Sequence, residues 1–261
     1  MKKSIQVIVT AFAILLGSVC YSQNDTMYVN YGGNVTMAIP TSQIDSLTFY
    51  RPNTTSSGGE YVICDGSTFT WNDVTNPTTG RTWMDRNLGA SQVATSSTDS
   101  LAYGDLYQWG RGFDGHQCRN SDTTSSLNNG DDPGHSDFIT KSSSPYDWRN
   151  PQNDSLWQGV DGINNPCPTG YRVPTETEWE EEVGTWAYRN ASGTYGSVLK
   201  LPMAGTRFSS NGSLYSVGAF GRYWSSTVAG IDARYLDLDG GYAGMTTNDR
   251  SYGQSVRCIK D

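Results

Sequence analysis

Large flat side chains constrain this chain more than anything else it contains. Trp 8, Tyr 16 and Phe 7 bring aromatic residues to 12% of 261, while charged residues stop at 17%, against about 25% in ordinary domains. So many rings with so few charges argue against disorder. Together with Gly 29, they predict short strands and tight turns packed around aromatic side chains, the turns supplied by Gly, Asn, Asp and Ser. Lys+Arg 18 against Asp+Glu 26 gives a formal net charge of -8. An acidic chain with no basic run offers a polyanion no counterion-releasing patch, which excludes nucleic acid as a partner.

Lys2 and Lys3 precede an apolar stretch from Ile5 to Leu16 and then the small or polar run Gly17–Ser22. That order is the pattern of a secretory signal peptide, too short to span a membrane, which takes about 20 apolar residues. Cleavage after Ser22 is expected, with Cys20 and Ser22 at the two small-residue positions. Cys20 is alternatively a lipidation cysteine, although Val19 is a poor match before it. Loss of Lys2 and Lys3 with residues 1–22 takes the net charge from -8 to -10. No other segment is apolar enough to cross a membrane, so the mature chain is expected to be exported, whether extracellular, at the cell surface or periplasmic.

Export would place Cys64, Cys118, Cys167 and Cys258 in an oxidising compartment, where they can form two disulfides in any of three pairings. Zinc is disfavoured, since no two cysteines have C-x-x-C spacing and neither His116 nor His135 lies near a second ligand.

Residues 23–50 hold strand-like runs at 27–30, 35–40 and 46–50, with Tyr31-Gly32-Gly33-Asn34 as a hairpin signal. Residues 51–59 read as a linker by composition, and residues 60–261 as one domain. Within it Thr175 and Glu178 form a capping box, and Trp179, Val183, Trp186 and Ala187 follow at i, i+4, i+7 and i+8. A weaker helix is expected from about Asp99 to Trp109. Arg234–Asp239 alternates strictly, which predicts Leu236 and Leu238 facing a core and Tyr235, Asp237 and Asp239 facing out. Gly240-Gly241 then turns the chain. Gln254–Lys260 reads as a closing strand, with Val256 and Cys258 on one face and Ser255 and Arg257 on the other. Residues 120–165 are dominated by loop formers, a length that is usually functional or held by ions and local packing.

Five blocks now stand in order: Trp83-Met84-Asp85-Arg86-Asn87-Leu88; Tyr103-Gly104-Asp105-Leu106-Tyr107-Gln108-Trp109; Cys167 to Pro174 with Glu178-Trp179; Tyr223-Trp224-Ser225-Ser226-Thr227; and Gly253 to Cys258. Together they resemble the Fibrobacter succinogenes major paralogous domain across most of residues 60–261. That family is similar to C-type-lectin-like domains, and Arg172 to Trp179 also resembles the formylglycine-generating enzyme branch. The resemblance implies an α+β architecture, with two helices around small twisted antiparallel sheets and long loops displayed on one side. It also implies a Cys167–Cys258 bridge and, with it, a Cys64–Cys118 bridge.

Several motifs are tempting and have plainer readings. Trp71-Asn72-Asp73 spells the calcium and sugar signature of C-type lectins, but it sits near the domain's start without a Glu-Pro-Asn partner and is read as a strand-to-turn element. Gly110–Gly115 fits the letters of a dinucleotide fingerprint but follows a helical rather than a strand pattern, so it is read as a turn. Glu176, Glu178, Glu180, Glu181 and Glu182 are read as a solvated helix face. Asp131, Asp132, Asp161, Asn164 and Asn165 could supply oxygen ligands to a structural Ca2+; no other cofactor is expected. No serine lies in G-x-S-x-G, and the cysteines are better read as disulfides than as the reactive thiols of formylglycine chemistry, so the chain is not expected to be an enzyme.

Trp83, Trp109, Trp179, Trp186 and Trp224 are read as core. The ligand-binding candidates are an outward set near the C-terminus: Tyr235, Asp237, Asp239, Tyr242, Asn248, Asp249 and Tyr252, where rings give wide contact and Asp and Asn give polar specificity. The stretch 221–261 further resembles the variable cassette of retroelement-diversified C-type-lectin-like proteins. The expected function is a non-catalytic binding or adhesion module for an extracellular protein or glycan ligand. The alternative is a structural component of a cell-surface assembly, to which residues 23–50 would add strands.

Overall fold

The computed structural model describes residues 7–8, 26–31, 34–40, 61–62, 64, 66 and 68–261, and the chain divides into two compact units, 1–52 and 53–261. In the first unit β1 (Val7–Ile8), β2 (Thr26–Tyr31) and β3 (Asn34–Pro40) form an antiparallel sheet in that order. The strands expected at 27–30 and 35–40 are thus present. The cleavage region with Cys20, the strand expected at 46–50 and the linker at 51–59 lie outside the described residues.

The second unit is a mixed, sheet-rich α+β fold. Its central sheet is β14 (Gly221–Ala229), β15 (Asp232–Leu238) and β16 (Ala243–Asp249), antiparallel throughout. A second sheet has the order β11-β18-β7-β6, made from β6 (Asp73–Thr75), β7 (Thr82–Met84), β11 (Tyr171–Arg172) and β18 (Ile259–Lys260). A third has the order β13-β12-β17-β8, from β8 (Tyr107–Gln108), β12 (Thr206–Arg207), β13 (Leu214–Tyr215) and β17 (Gly253–Gln254). Two strand pairs complete it: antiparallel β4 (Tyr61–Val62) with β5 (Thr68–Phe69), and parallel β9 (Thr123–Thr124) with β10 (Phe138–Ile139).

The helix expected after Thr175 is α1 (Glu176–Gly184). Thr175 accepts from the Glu178 amide and Glu178 accepts from the Thr175 amide, so both halves of the capping box are made. Trp179 and Val183 are buried, and so is Trp186 just beyond the helix end, whereas Ala187 is exposed. The acidic face is not uniformly wet. Glu180 and Glu181 are exposed, but Glu178 and Glu182 are 4% and 1% exposed. Glu178 is drawn in by cations, accepting two bonds from Arg172 (2.8 and 2.7 Å) and one from Arg81 (2.9 Å). Glu182 accepts from Asn76 (2.6 Å) and the Trp186 indole (3.1 Å).

The helix expected over 99–109 does not form. Asp99 caps a single 3-10 turn at Ser100–Ala102, and Gly104 then turns the chain at a φ of +66°, where a Cβ would lie 2.2 Å from the Leu88 carbonyl oxygen. Beyond it the amides of Asp105 and Leu106 bond Leu88 and Gln117, so long-range partners replace helical ones. The second helix is instead α2 (Ala191–Gly196), begun by Asn190, whose side chain accepts from the Ser192 and Gly193 amides.

The central sheet is covered on both faces. Leu236 and Leu238 face inward as expected and join Trp83, Trp179, Trp186 and Tyr223 in one core cluster, with α1 packed along the sheet. On the other face Ala233 and Tyr235 join Trp71, Trp109, Trp157, Trp224 and Val256 in a second cluster. Gln254–Lys260 is strand only at its two ends, and both of its faces are buried: Ser255 is 0% and Arg257 1% exposed. Arg257 donates to Asn87 Oδ1 and to the Met84 and Leu199 carbonyls.

Cys64–Cys118 and Cys167–Cys258 are both bonded, with Cα separations of 5.5 and 5.9 Å. The second closes a loop of 91 residues inside the core. Replacing Cys167 and Cys258 together with alanine is expected to lower unfolding free energy by about 4 to 5 kcal/mol, read from urea titrations of the oxidised wild type and the double variant.

Candidate ligand-binding site

The predicted outward set does not form one surface. Register places Tyr235, Asp237 and Asn248 on one face of the central sheet and Asp249 on the other. Tyr235 is only 6% exposed and packs edge-on against Trp224, with ring centroids 5.9 Å apart. The expectation that it faces out fails because alternation assigns opposite faces of a strand, while a second layer decides whether the opposite face is wet. Asp237 is half-buried and pairs with Arg222 at 3.2 Å. Asp239 accepts from the Gly241 and Tyr242 amides and so holds the hairpin turn. Asn248 is half-buried and accepts from the neighbouring Asp249 amide. Burial and the opposed Asp232 push the Asp249 carboxyl up. Tyr252 packs against the core and the Phe208 ring. Of the seven, Tyr242 is freely exposed, at 51%.

The loop-rich stretch is held by its own polar side chains. Asp131 pairs with Arg149 at 2.9 Å and accepts from Asn153 at 2.9 Å. Asn164 donates to the Gly110 and Asp131 carbonyls, and Asn165 to those of Val160 and Tyr171. Asp132 accepts from the Gly134 amide, and Asp161 is exposed. Among the described residues no three of His, Cys, Asp and Glu gather as a metal cluster.

Both histidines are engaged in structural bonds. His116 is fully buried, and its Nε2 accepts from the Gln108 amide at 3.0 Å, which leaves Nδ1 as the donor to Asp114 Oδ1 at 2.5 Å. Asp114 is also clamped by Arg111 at 2.9 and 2.6 Å. His135 Nδ1 accepts from the Asp137 amide. The Trp71-Asn72-Asp73 element is structural in the same sense: Trp71 is buried, Asn72 donates to Asp85, and Asp73 opens β6 and accepts from Lys260 at 2.6 Å.

One open cleft lies elsewhere. A cleft of about 430 Å3 is bounded by the end of α1, residues 185–188, α2 and the 76–78 turn. Its floor is rigid. Asn76, 3% exposed, donates to Glu182 at 2.6 Å and to Thr185 at 3.0 Å, and its Oδ1 accepts from the Thr78 amide. On its rim Tyr188 is 66% and Val198 37% exposed. The lining contains no Asp, Glu, Lys or Arg. The Ala191 amide bonds the Asp239 carbonyl at 2.8 Å, so α2 joins this cleft to the hairpin turn that bears Tyr242. The cleft was not foreseen from sequence, in which Trp186 and Tyr188, just past the end of α1, are its only aromatic signal. Comparisons with protein-family models, curated proteins and solved structures gave no match to this chain.

The buried ionisable groups set a pH signature. Burial, reinforced by Arg111 and opposed by Asp114, pulls His116 down to about 4. Its folded-state value lies below the unfolded one near 6.5, so the stability it contributes is complete above about pH 6.5 and is lost as pH falls toward 4. The loss amounts to about 3 kcal/mol. Asp147 runs the other way: burial, partly offset by Arg250, raises it to about 6, so its cost appears as pH rises from 4 through 6. Urea titrations across pH 4 to 7 are expected to show Asp147→Asn gaining stability over wild type as pH rises. They should also show the acid-side loss shrinking in His116→Gln.

Proposed function

We propose that this chain is an exported, non-catalytic binding or adhesion module on a C-type-lectin-like scaffold, with an extracellular protein or glycan as its ligand. One observation carries the reading: the histidines and the described cysteines are engaged in structural bonds within the fold, while one end of the domain presents an uncharged open cleft beside an exposed tyrosine turn. The sheet-rich α+β architecture with two helices supports it, as do the two disulfides, which suit an oxidising compartment. No helix among the described residues is long and apolar enough to cross a membrane. Export itself rests on the leader pattern of residues 1–22, and the family assignment rests on the five sequence blocks.

Hydrogen-bonded support suits such a role. A surface whose supporting groups are already locked loses little conformational freedom when a ligand docks. A second reading, a structural component of a surface assembly, is favoured by the β2–β3 hairpin of the 1–52 unit, whose β2 edge, paired with β1 of the leader, would be open to a partner strand once residues 1–22 are removed.

A screen of the exported chain against extracellular glycans and surface proteins, with and without chelator, is expected to return at least one saturable ligand. Thiol titration of the native protein is expected to find no reactive cysteine. Native free thiols would instead revive the formylglycine-type alternative. Loss of particle assembly and surface retention on deleting residues 23–58, with the remaining domain folded and no ligand found, would favour the structural role.

A further inference from the structure

We infer that the cleft between the end of α1 and α2 binds a neutral saccharide without a metal ion, a deepening that rests on the binding-module reading above. Its volume of about 430 Å3 falls within the roughly 300 to 1,000 Å3 range of small-molecule sites. The absence of charge is the first discriminating feature. In a chain of net charge -8, a lining without a cation gives an anionic ligand nothing to pair with, and a lining without a carboxylate gives a cation or a bridging Ca2+ none of its preferred charged oxygen ligands.

The second feature is how the polar groups divide. Those in the floor are spent on one another: Asn76 on Glu182 and Thr185, and the Ser197 hydroxyl on the Thr194 carbonyl. The hydroxyls of Thr78, Ser192 and Tyr188 make no hydrogen bond among the described residues. A sugar presents both donors and acceptors around a ring with an apolar C–H face. It can therefore bond these hydroxyls while lying against the exposed Tyr188 ring, a surface whose body is apolar and whose tip is polar.

The third feature is the use of glycine in α2. A Cβ on Gly193 would sit 1.8 Å from the Tyr188 carbonyl oxygen, so this position presses the helix against the 188 backbone. A Cβ on Gly196 would meet nothing within 4 Å. The helix is thus docked tightly at one glycine and has open space at the other, which lines the cleft. Gly196 has no positive φ, so a side chain can be introduced there without backbone strain.

The test is a titration of the 15N-labelled exported chain with the methyl glycosides of neutral hexoses and N-acetylhexosamines in the presence of EDTA. The Trp186 indole and the Gly193 and Gly196 amides are the reporters. Saturable shifts confined to these signals are expected for at least one glycoside. Gly196→Phe, which puts a bulky ring at a lining position, and Tyr188→Ala, which removes the exposed ring, should each weaken binding by about tenfold while signals from the central sheet stay unchanged. Because Tyr188 is 66% exposed, its variant keeps the test valid should Gly196→Phe fail to fold. Absence of shifts with every glycoside in EDTA, whether or not they return when calcium replaces it, or affinities unchanged in Tyr188→Ala would each overturn the inference. If a protein ligand emerges from the screen above while no glycoside binds, the saccharide site fails and the binding-module reading stands; if nothing binds in either experiment, both fail.

Discussion

Buried indoles that donate to the backbone of distant segments hold this domain together. Trp109 Nε1 donates to the Ser225 carbonyl at 2.8 Å, Trp224 Nε1 to Tyr107 at 2.8 Å, Trp148 Nε1 to Trp109 at 2.7 Å and Trp179 Nε1 to Trp224 at 3.1 Å. These four bonds tie the 107–109 segment, the loop-rich middle, α1 and the central sheet into one unit. Each contributes only about 1 kcal/mol net, but an indole left unbonded in the core costs about 1 to 3 kcal/mol, a cost the fold bears at Trp83, whose buried Nε1 has no hydrogen-bond partner among the described residues. The arrangement is therefore selective as well as stabilising, because a misplaced segment strands a donor. Rings also supply the apolar area that strands of two or three residues cannot.

Arginines perform the complementary task. A chain with so much irregular backbone turns many carbonyls inward, away from any ladder, and each needs a donor. A guanidinium offers five in fixed geometry. Arg207 reaches the His116, Cys118, Ser121 and Gly212 carbonyls and lies 4.4 Å from the centre of the Phe138 ring. Arg257 gathers Met84, Leu199 and Asn87. Burial pulls both down to about 10, which leaves them charged at neutral pH. An acidic chain can bury such cations because they are solvated by carbonyl dipoles rather than by paired carboxylates.

Legibility followed the range of the interaction concerned. The Thr175–Glu178 capping box spans four residues, and the sequence displays all of it, so the start of α1 was readable, whereas the expected stripe ran on to Ala187, past the end of the helix at Gly184. The failed helix over 99–109 shows the opposite case, since its local pattern was outbid by Leu88 and Gln117, which lie far along the chain. α2 was hidden for a related reason. It is six residues long, poor in apolar periodicity and held by Asn190 and by its docking to Asp239, so it has no sequence stripe to reveal it. The cleft exists only because α1 ends and α2 begins at a particular distance, and no motif encodes that spacing.

By itself the sequence determined that the core would be built of rings, that α1 would start at Thr175, and that Leu236 and Leu238 would share an inward face, because each follows from composition or from neighbours within one period of structure. Three things were decided by tertiary structure alone. It buried Tyr235 under a second layer, it turned Glu182 inward, and it left Tyr188 in water. The physical reason is common to all three: whether a side chain is covered depends on which segment lies across from it, and that segment is brought there by contacts between residues tens to more than a hundred positions apart.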